Sequence, residues 1–330
     1  MPSRNNICTC GSGKRFKHCC GAFGRPNSSS SMISDEEMIE ALKRADTVGR
    51  AKGEEPSARE LMNVGRALGE FGVTSFRITG RDRPDIVQRA QELNRMLFMP
   101  RELQAGGVHL GAFLFRDMFC RMYAPIAFGR AHIDFWKLVD LNDFQKAWLA
   151  SDEHDLARFT DQAADIIDFG YGFMEFGHGR SIDPRGNDLM WRAHAQLEAA
   201  AATATSAYDY RGTTQSAILG TELALKAGLA ASGVSDKELS SRKSIGHNLV
   251  AAAQKLGSLC PNFDADRVER VVSTFPDYVS SRYLDKPPSR EETGHLIMGA
   301  QYVAAEVTRQ FSDRNLRKND PAFQRRQYPA

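Results

Sequence analysis

Residues 4–21, RNNICTCGSGKRFKHCCG, contain four of the six cysteines of the chain and decide the fold of this N-terminal stretch. The four lie in two close pairs on either side of a Gly-Ser-Gly turn: Cys8, Cys10, Cys19 and Cys20. Two pairs of thiolates joined by a short loop suit the tetrahedral geometry that zinc adopts in proteins. We therefore expect one structural zinc ion per chain, because four protein ligands leave no coordination position open.

Two alternatives accompany the zinc hypothesis. A disulfide interpretation is weaker, because adjacent and near-adjacent cysteines are awkward partners for one another. His18 is an alternative ligand in place of Cys19 or Cys20. No secretory signal precedes the cysteines, so we expect a cytoplasmic protein, in a reducing compartment where clustered cysteines usually bind metal or do redox work.

The same stretch resembles the SEC-C motif, a zinc-binding module found at the C-terminal tail of the SecA translocation ATPase and on many other bacterial proteins. The resemblance rests on the Cys-x-Cys pair, the Gly-Ser-Gly-Lys turn at residues 11–14, and the Cys-Cys-Gly end at residues 19–21. It implies a small zinc knuckle that docks on a protein or contacts nucleic acid. It covers about twenty residues and says little about the rest of the chain.

Basic residues surround these cysteines, with no acidic residue among them: Arg4, Lys14, Arg15 and Lys17. One interpretation is that they neutralise the excess negative charge of four thiolates on a dication. The other is that Lys14, Arg15 and Lys17 form a basic face that binds an acidic partner or a phosphate backbone.

Composition excludes two broad classes of protein. The net charge of +2 argues against a strongly basic nucleic-acid binder over the whole chain. The most apolar run, residues 110–128, is interrupted by Arg116, Asp117 and Arg121, so we interpret it as a buried core helix and not as a membrane span. We expect a mostly α-helical protein that has no contact with membranes.

The pattern of linkers and helices predicts five segments. They are a zinc knuckle at 1–21, a Gly/Pro/Ser-rich linker at 22–33, a helical domain at 34–185, a helical bundle at 186–312 and a basic tail at 313–330.

Apolar spacing predicts the individual helices. In the first helical domain we expect a helix at 35–50 and a second one that starts at a capping box of Ser57 and Glu60 and ends near residue 72. A third helix is expected to start at Pro84, and residues 108–176 are expected to be mostly helical. In the bundle we expect helices at 188–207, 210–232, 236–257, 264–274 and 290–312.

The histidines show no spacing typical of metal ligands in the middle of the chain. We interpret the following as surface or hydrogen-bonded residues: His109, His132, His154 and His178. His295, at the start of the last long helix, is expected to face solvent.

Residues 186–312 resemble the HEPN superfamily of helical bundles, which form dimers and often act as metal-independent ribonucleases. The resemblance rests on the segment 221–226 (TELALK), on the spacing of Arg242 and His247, and on Ser281-Arg282-Tyr283 before the last helix. It implies that His247 transfers a proton, that Arg242 stabilises charge on a phosphate, and that Glu222 orients the imidazole.

Two departures from the HEPN pattern weaken this implication. Lys243 follows Arg242 where active members carry a polar residue such as asparagine, and the motif opens a middle helix instead of lying on a late one. The structural alternative is a capping or buried His247 bonded to Glu222, with Arg282 in a salt bridge.

The sequence therefore leaves two main functions open, and a third, binding of a translocation-related chaperone, rests on the resemblance to the SecA tail alone. In the first, an adaptor uses the zinc knuckle to dock on a protein or nucleic acid, and the helical body forms a homodimer or a second contact. In the second, an endoribonuclease of toxin or defence type carries Arg242, His247 and Glu222 as catalytic residues and Arg282 as an RNA-binding residue, with the zinc knuckle for targeting.

Overall fold

The structure is a computed structural model. It describes residues 6–7, 15, 33–76, 84–99, 102, 107–127, 132–207, 209–241, 245–278, 288–319 and 326–329. The chain divides into two compact units, Met1–Ala105 and Gly106–Ala330.

Three helices of the first unit lie within its described residues: α1 Asp35–Ala51, α2 Pro56–Glu70 and α3 Asp85–Met96. The prediction for α1 is confirmed, and Ser34 and Glu37 form its capping box. The capping box predicted at Ser57 is wrong, because the N-cap residue of α2 is Glu55, two residues earlier, and the helix begins at Pro56 without a side-chain cap. The three helices share an apolar core that includes Leu42, Val64 and Val87.

A β-hairpin replaces the helix predicted over residues 110–128, which is wrong. Strands β1 His109–Phe115 and β2 Met118–Ala124 pair antiparallel, with Phe115 opposite Met118 and a two-residue turn between them. Arg116 takes a positive φ of 58° in that turn, a position where Gly, Asn or Asp is usual. Six of the seven β1 residues are buried, so the strand lacks the alternation of apolar and polar residues that identifies most strands in a sequence.

The other regular elements among the described residues of the second unit are helical. Its helices are α4 Asp143–Ala150, α5 Glu153–Gly172, α6 Pro184–Ser206, α7 Arg211–Ala231, α8 Asp236–Ser240, α9 Leu249–Leu259, α10 Ala265–Ser273, α11 Arg290–Phe311 and α12 Leu316–Asn319. Four helices predicted for the bundle are confirmed as α6, α7, α10 and α11. The single helix predicted at 236–257 is wrong, because Gly246 has a φ of +47° and Asn248 caps a new helix at the Ala251 N–H.

Helix side chains cover the outer edge of β1, which packs against α5, α6 and α11. The Ala112 N–H donates to Gln301 Oε1 at 2.7 Å, and Gln301 Nε2 donates to the Ala112 carbonyl at 2.8 Å. The Leu110 N–H donates to Glu198 Oε1 at 2.9 Å. These side chains bind the outward-facing peptide groups of β1 that a neighbouring strand would otherwise pair.

Arg309 on α11 is the centre of a buried ion-pair network. Its side chain is 3% exposed and lies 2.6 Å from Asp165 and 2.8 Å from Asp168 of α5, and 3.3 Å from Glu306. Burial disfavours a charged carboxylate, but Arg326, Arg309 and Arg317 outweigh burial and hold the pKa of Asp165 below its ordinary value. This network fixes α11 against α5.

The basic tail also binds α5. Arg317 pairs with Asp161, and Arg326 pairs with Asp165. The N–H of Tyr328 donates to Asp161 Oδ2 at 2.8 Å. Part of the positive charge of the tail is therefore neutralised by carboxylates of α5.

Among the residues described, none of the helices combines the length and apolar character that crossing a lipid bilayer requires.

We predict that Gln301→Leu lowers the free energy of unfolding by about 2–5 kcal/mol, because it leaves two buried backbone groups of Ala112 without partners. Urea denaturation measures the loss. Gln254→Leu is the matched control, since Gln254 is an exposed helical residue, and we expect a change within about 0.5 kcal/mol there. Equal losses in the two variants would contradict the role given to Gln301.

Candidate functional site

Helix α7 places Glu222 and Lys226 on one face of the second unit. The two residues are one turn apart, and Lys226 Nζ lies 2.7 Å from Glu222 Oε1. The side chains are 8% and 15% exposed, so this ion pair is largely buried. The i,i+4 pair expected from the sequence is therefore formed.

His247 completes a cluster with these two residues. It lies in the connection between α8 and α9, directly before the cap residue Asn248. Its Nδ1 is 2.9 Å from Glu222 Oε2 and 3.1 Å from Oε1, while the side chain remains 64% exposed. The Tyr278 ring lies nearly parallel to the imidazole, with centroids 6.4 Å apart.

The contact with Glu222 defines the tautomer of a neutral His247. A carboxylate accepts hydrogen bonds, so Nδ1 carries the hydrogen and donates it, which leaves a lone pair on Nε2. A base that is oriented by a carboxylate and open to solvent is the arrangement used in general acid–base catalysis. The same contacts also satisfy a buried glutamate, which is the structural alternative to a catalytic role.

Most other predicted site residues lie outside the described part of the chain: Arg242, Arg282, Lys14, Lys17 and the four knuckle cysteines. Arg15 is described, is exposed, and forms an antiparallel bridge with Ile7. Ile7 directly precedes Cys8, and Arg15 lies four residues before Cys19. The donor chemistry fits zinc, since four thiolates are a ligand set found in structural zinc sites.

Two histidines depart from the sequence interpretation. His109 is fully buried, and no described residue forms a hydrogen bond with either of its ring nitrogens, so the surface or hydrogen-bonded interpretation is wrong. His295 is half-buried, and its Nδ1 lies 2.9 Å from the Tyr328 hydroxyl, so the expectation that it faces solvent is also wrong. His194 and Glu198 were not predicted as site residues. Their i,i+4 spacing, which places both side chains on one face of α6, is the signal in the sequence that could have indicated a joint role.

Comparison with protein families finds the SEC-C motif at residues 4–22. This module is of a zinc-binding type, and the resemblance noted from the cysteines is confirmed over that stretch. Neither a curated protein nor a solved structure matches the chain. The comparisons give no support to the HEPN resemblance of residues 186–312.

We predict that His247→Ala changes the free energy of unfolding by less than about 1 kcal/mol, because the side chain is mostly exposed. Glu222→Ala should cost about 3 kcal/mol, because it leaves the Lys226 ammonium buried without its counter-charge. Urea denaturation of both variants measures these changes. A large loss in His247→Ala would show that the histidine is needed for folding and would rule out its use as a functional probe.

Proposed function

We propose that this chain is an adaptor protein, in which the SEC-C knuckle docks on a partner and the helical body makes a second contact. The match of residues 4–22 to the SEC-C motif carries the proposal. The motif falls in a different compact unit from the His247 cluster. An adaptor needs such a separation of docking module and body, but it needs no catalytic residue.

The metal of the knuckle is proposed to be zinc, held by Cys8, Cys10, Cys19 and Cys20. Bound zinc supplies folding energy to so short a module and takes no part in chemistry, because its four positions are filled. The thiolates require a reducing environment, which supports the cytoplasm as the location.

The partner of the knuckle is proposed to be an acidic protein surface or a nucleic acid. Arg15 is exposed on the described bridge, and Lys14 and Lys17 are its neighbours in the sequence. A cluster of cations with no acidic neighbour attracts phosphate or carboxylate groups.

The second contact is proposed to be a homodimer formed through the helical body. Phe144 and Trp148 lie one turn apart on α4 and are 80% and 43% exposed. Large aromatic side chains are enriched at protein interfaces, so this pair supports a contact surface.

We expect the double variant Cys8→Ser/Cys19→Ser to lose one equivalent of zinc and to lose capture of the partner from a cell lysate. Elemental analysis and pull-down with the full chain measure the two effects. Nuclease treatment of the lysate distinguishes a nucleic-acid partner, whose capture is lost, from a protein partner, whose capture is kept.

The matched control is Cys260→Ser, which changes a cysteine of the second unit that lies outside the knuckle. It should retain both zinc and partner. Full capture by the double variant, with the zinc lost, would contradict the adaptor proposal.

A second candidate is a metal-independent endoribonuclease of HEPN type, and the orientation of His247 by Glu222 favours it. In this mechanism His247 Nε2 takes the proton of an RNA 2′-hydroxyl as that oxygen attacks the adjacent phosphorus. The bond to the 5′-oxygen breaks, which leaves a 2′,3′-cyclic phosphate and a 5′-hydroxyl whose proton comes from water. Arg242 and Arg282 would stabilise the phosphate charge, and the knuckle would direct the enzyme to its RNA.

The ribonuclease candidate predicts that wild-type protein cleaves total RNA in EDTA and that His247→Ala reduces the rate by about 100-fold or more. His178→Ala is the control, since His178 is exposed and belongs to another part of the second unit. Gel analysis of the RNA measures cleavage. Absence of cleavage by the wild type, or equal cleavage by His247→Ala, would eliminate this candidate and leave the adaptor.

A further inference from the structure

Three side chains with metal-binding chemistry meet where β1 packs on α6. His109 is the first residue of β1, and His194 and Glu198 lie one turn apart on α6. One donor atom from each residue lies within 4.8 Å of the other two. The three belong to the second unit, so this cluster is separate from the cysteine knuckle.

The distances within the cluster are close to those of a coordination sphere. His194 Nε2 lies 3.5 Å from Glu198 Oε1, and His109 Nδ1 lies 3.9 Å from the same oxygen. Ligands of a tetrahedral ion at about 2.0–2.1 Å are about 3.3 Å apart. Small side-chain movements therefore bring the three donors into ligand positions.

The unpaired ring nitrogens of His109 are the observation that indicates a bound ligand. Its side chain is 0% exposed, and neither ring nitrogen has a hydrogen-bond partner among the residues that the structure describes. A buried polar group without a partner destabilises the folded state. A metal ion bound by His109 Nδ1, on the side of Glu198, would use this otherwise unpaired nitrogen.

The fold positions His109 by close packing. The Phe169 ring meets the imidazole edge-on, with centroids 4.9 Å apart. A Cβ at Gly170 would lie 2.6 Å from Ala124 Cβ and 3.0 Å from His109 Cβ, so only glycine allows α5 to approach the hairpin this closely.

The protein also orients the other two ligands. The Phe173 ring stacks on His194, with centroids 3.8 Å apart. The Leu110 N–H donates to Glu198 Oε1 at 2.9 Å and fixes the carboxylate toward the histidines. Hydrogen bonds of this kind hold metal ligands in place in many metal sites.

His194 Nε2, the nitrogen that faces Glu198, also lies 3.3 Å from the carbonyl oxygen of Val108. A carbonyl accepts hydrogen bonds, so Nε2 carries the hydrogen in this contact. Binding of a metal ion at this nitrogen therefore replaces the contact with Val108 and releases a proton.

We propose that His109, His194 and Glu198 bind a zinc ion as a second metal site of this protein. Two imidazoles and one carboxylate form a known three-ligand set for zinc, whereas calcium and magnesium take oxygen ligands. The Glu198 side chain is 38% exposed, so a fourth position on its side is open to water or to a small ligand. This inference does not depend on the adaptor or ribonuclease proposals.

The test uses the full chain with all four knuckle cysteines changed to serine, so that bound zinc reports on this cluster alone. Isothermal titration with Zn²⁺ should find one equivalent per chain. Glu198→Gln in this background should weaken binding by more than about 100-fold, since loss of an outer-shell partner alone costs 10–100-fold. The glutamine retains an acceptor for the Leu110 N–H, which preserves the fold.

A second variant and two controls complete the test. His194→Phe keeps a ring to stack on Phe173 and should also abolish binding, whereas His178→Gln and Glu153→Gln change exposed residues and should bind like the parent. Substitution with Co²⁺ gives an independent readout, because the site should show d–d absorption without a thiolate charge-transfer band. Circular dichroism verifies that each variant is folded. A folded parent that binds no zinc, or unchanged binding in folded Glu198→Gln, would overturn the proposal.

Discussion

The buried guanidinium of Arg309 sets the arrangement of the second unit. Three carboxylates, from Asp165, Asp168 and Glu306, surround a side chain that is 3% exposed. Removing one partner from such a network leaves an uncompensated buried charge, so α5 and α11 can meet in essentially one register. The hairpin packs against both helices, and its placement therefore depends on the same network.

Glu198 connects the fold with the candidate metal cluster. Its carboxylate accepts the Leu110 N–H at the edge of β1 and lies 3.5 Å from His194 Nε2. The hydrogen bond that covers the outer edge of β1 therefore also orients a proposed metal ligand. His247 is different, because it lies in a connection and is held mainly through the side chain of Glu222, itself anchored on α7. The His109 cluster is therefore part of the core, and the His247 cluster lies at the surface.

The sequence predicted the helices that have clear apolar periodicity, including α1 and α11, and it paired Glu222 with Lys226 and His247. It missed the hairpin because β1 is buried on both faces and its turn has Arg116 where glycine or asparagine is expected. It also missed the cluster at His109, since His194 and Glu198 lie 85 and 89 residues after His109 and only the packing of β1 on α6 brings the three together. Contacts between distant segments leave no local pattern in a single sequence.

Both edges of the two-stranded sheet are occupied by the protein itself. Gln301 and Glu198 cover β1. On the other edge, the Tyr123 N–H of β2 donates to the Leu138 carbonyl, and the Asp140 N–H donates to the Arg121 carbonyl of β2. An apolar hairpin with open edges is a template for adding strands from other molecules. Here several of the peptide groups that such polymerisation requires are already bonded within the protein, which disfavours addition of a strand from a second copy to the folded hairpin.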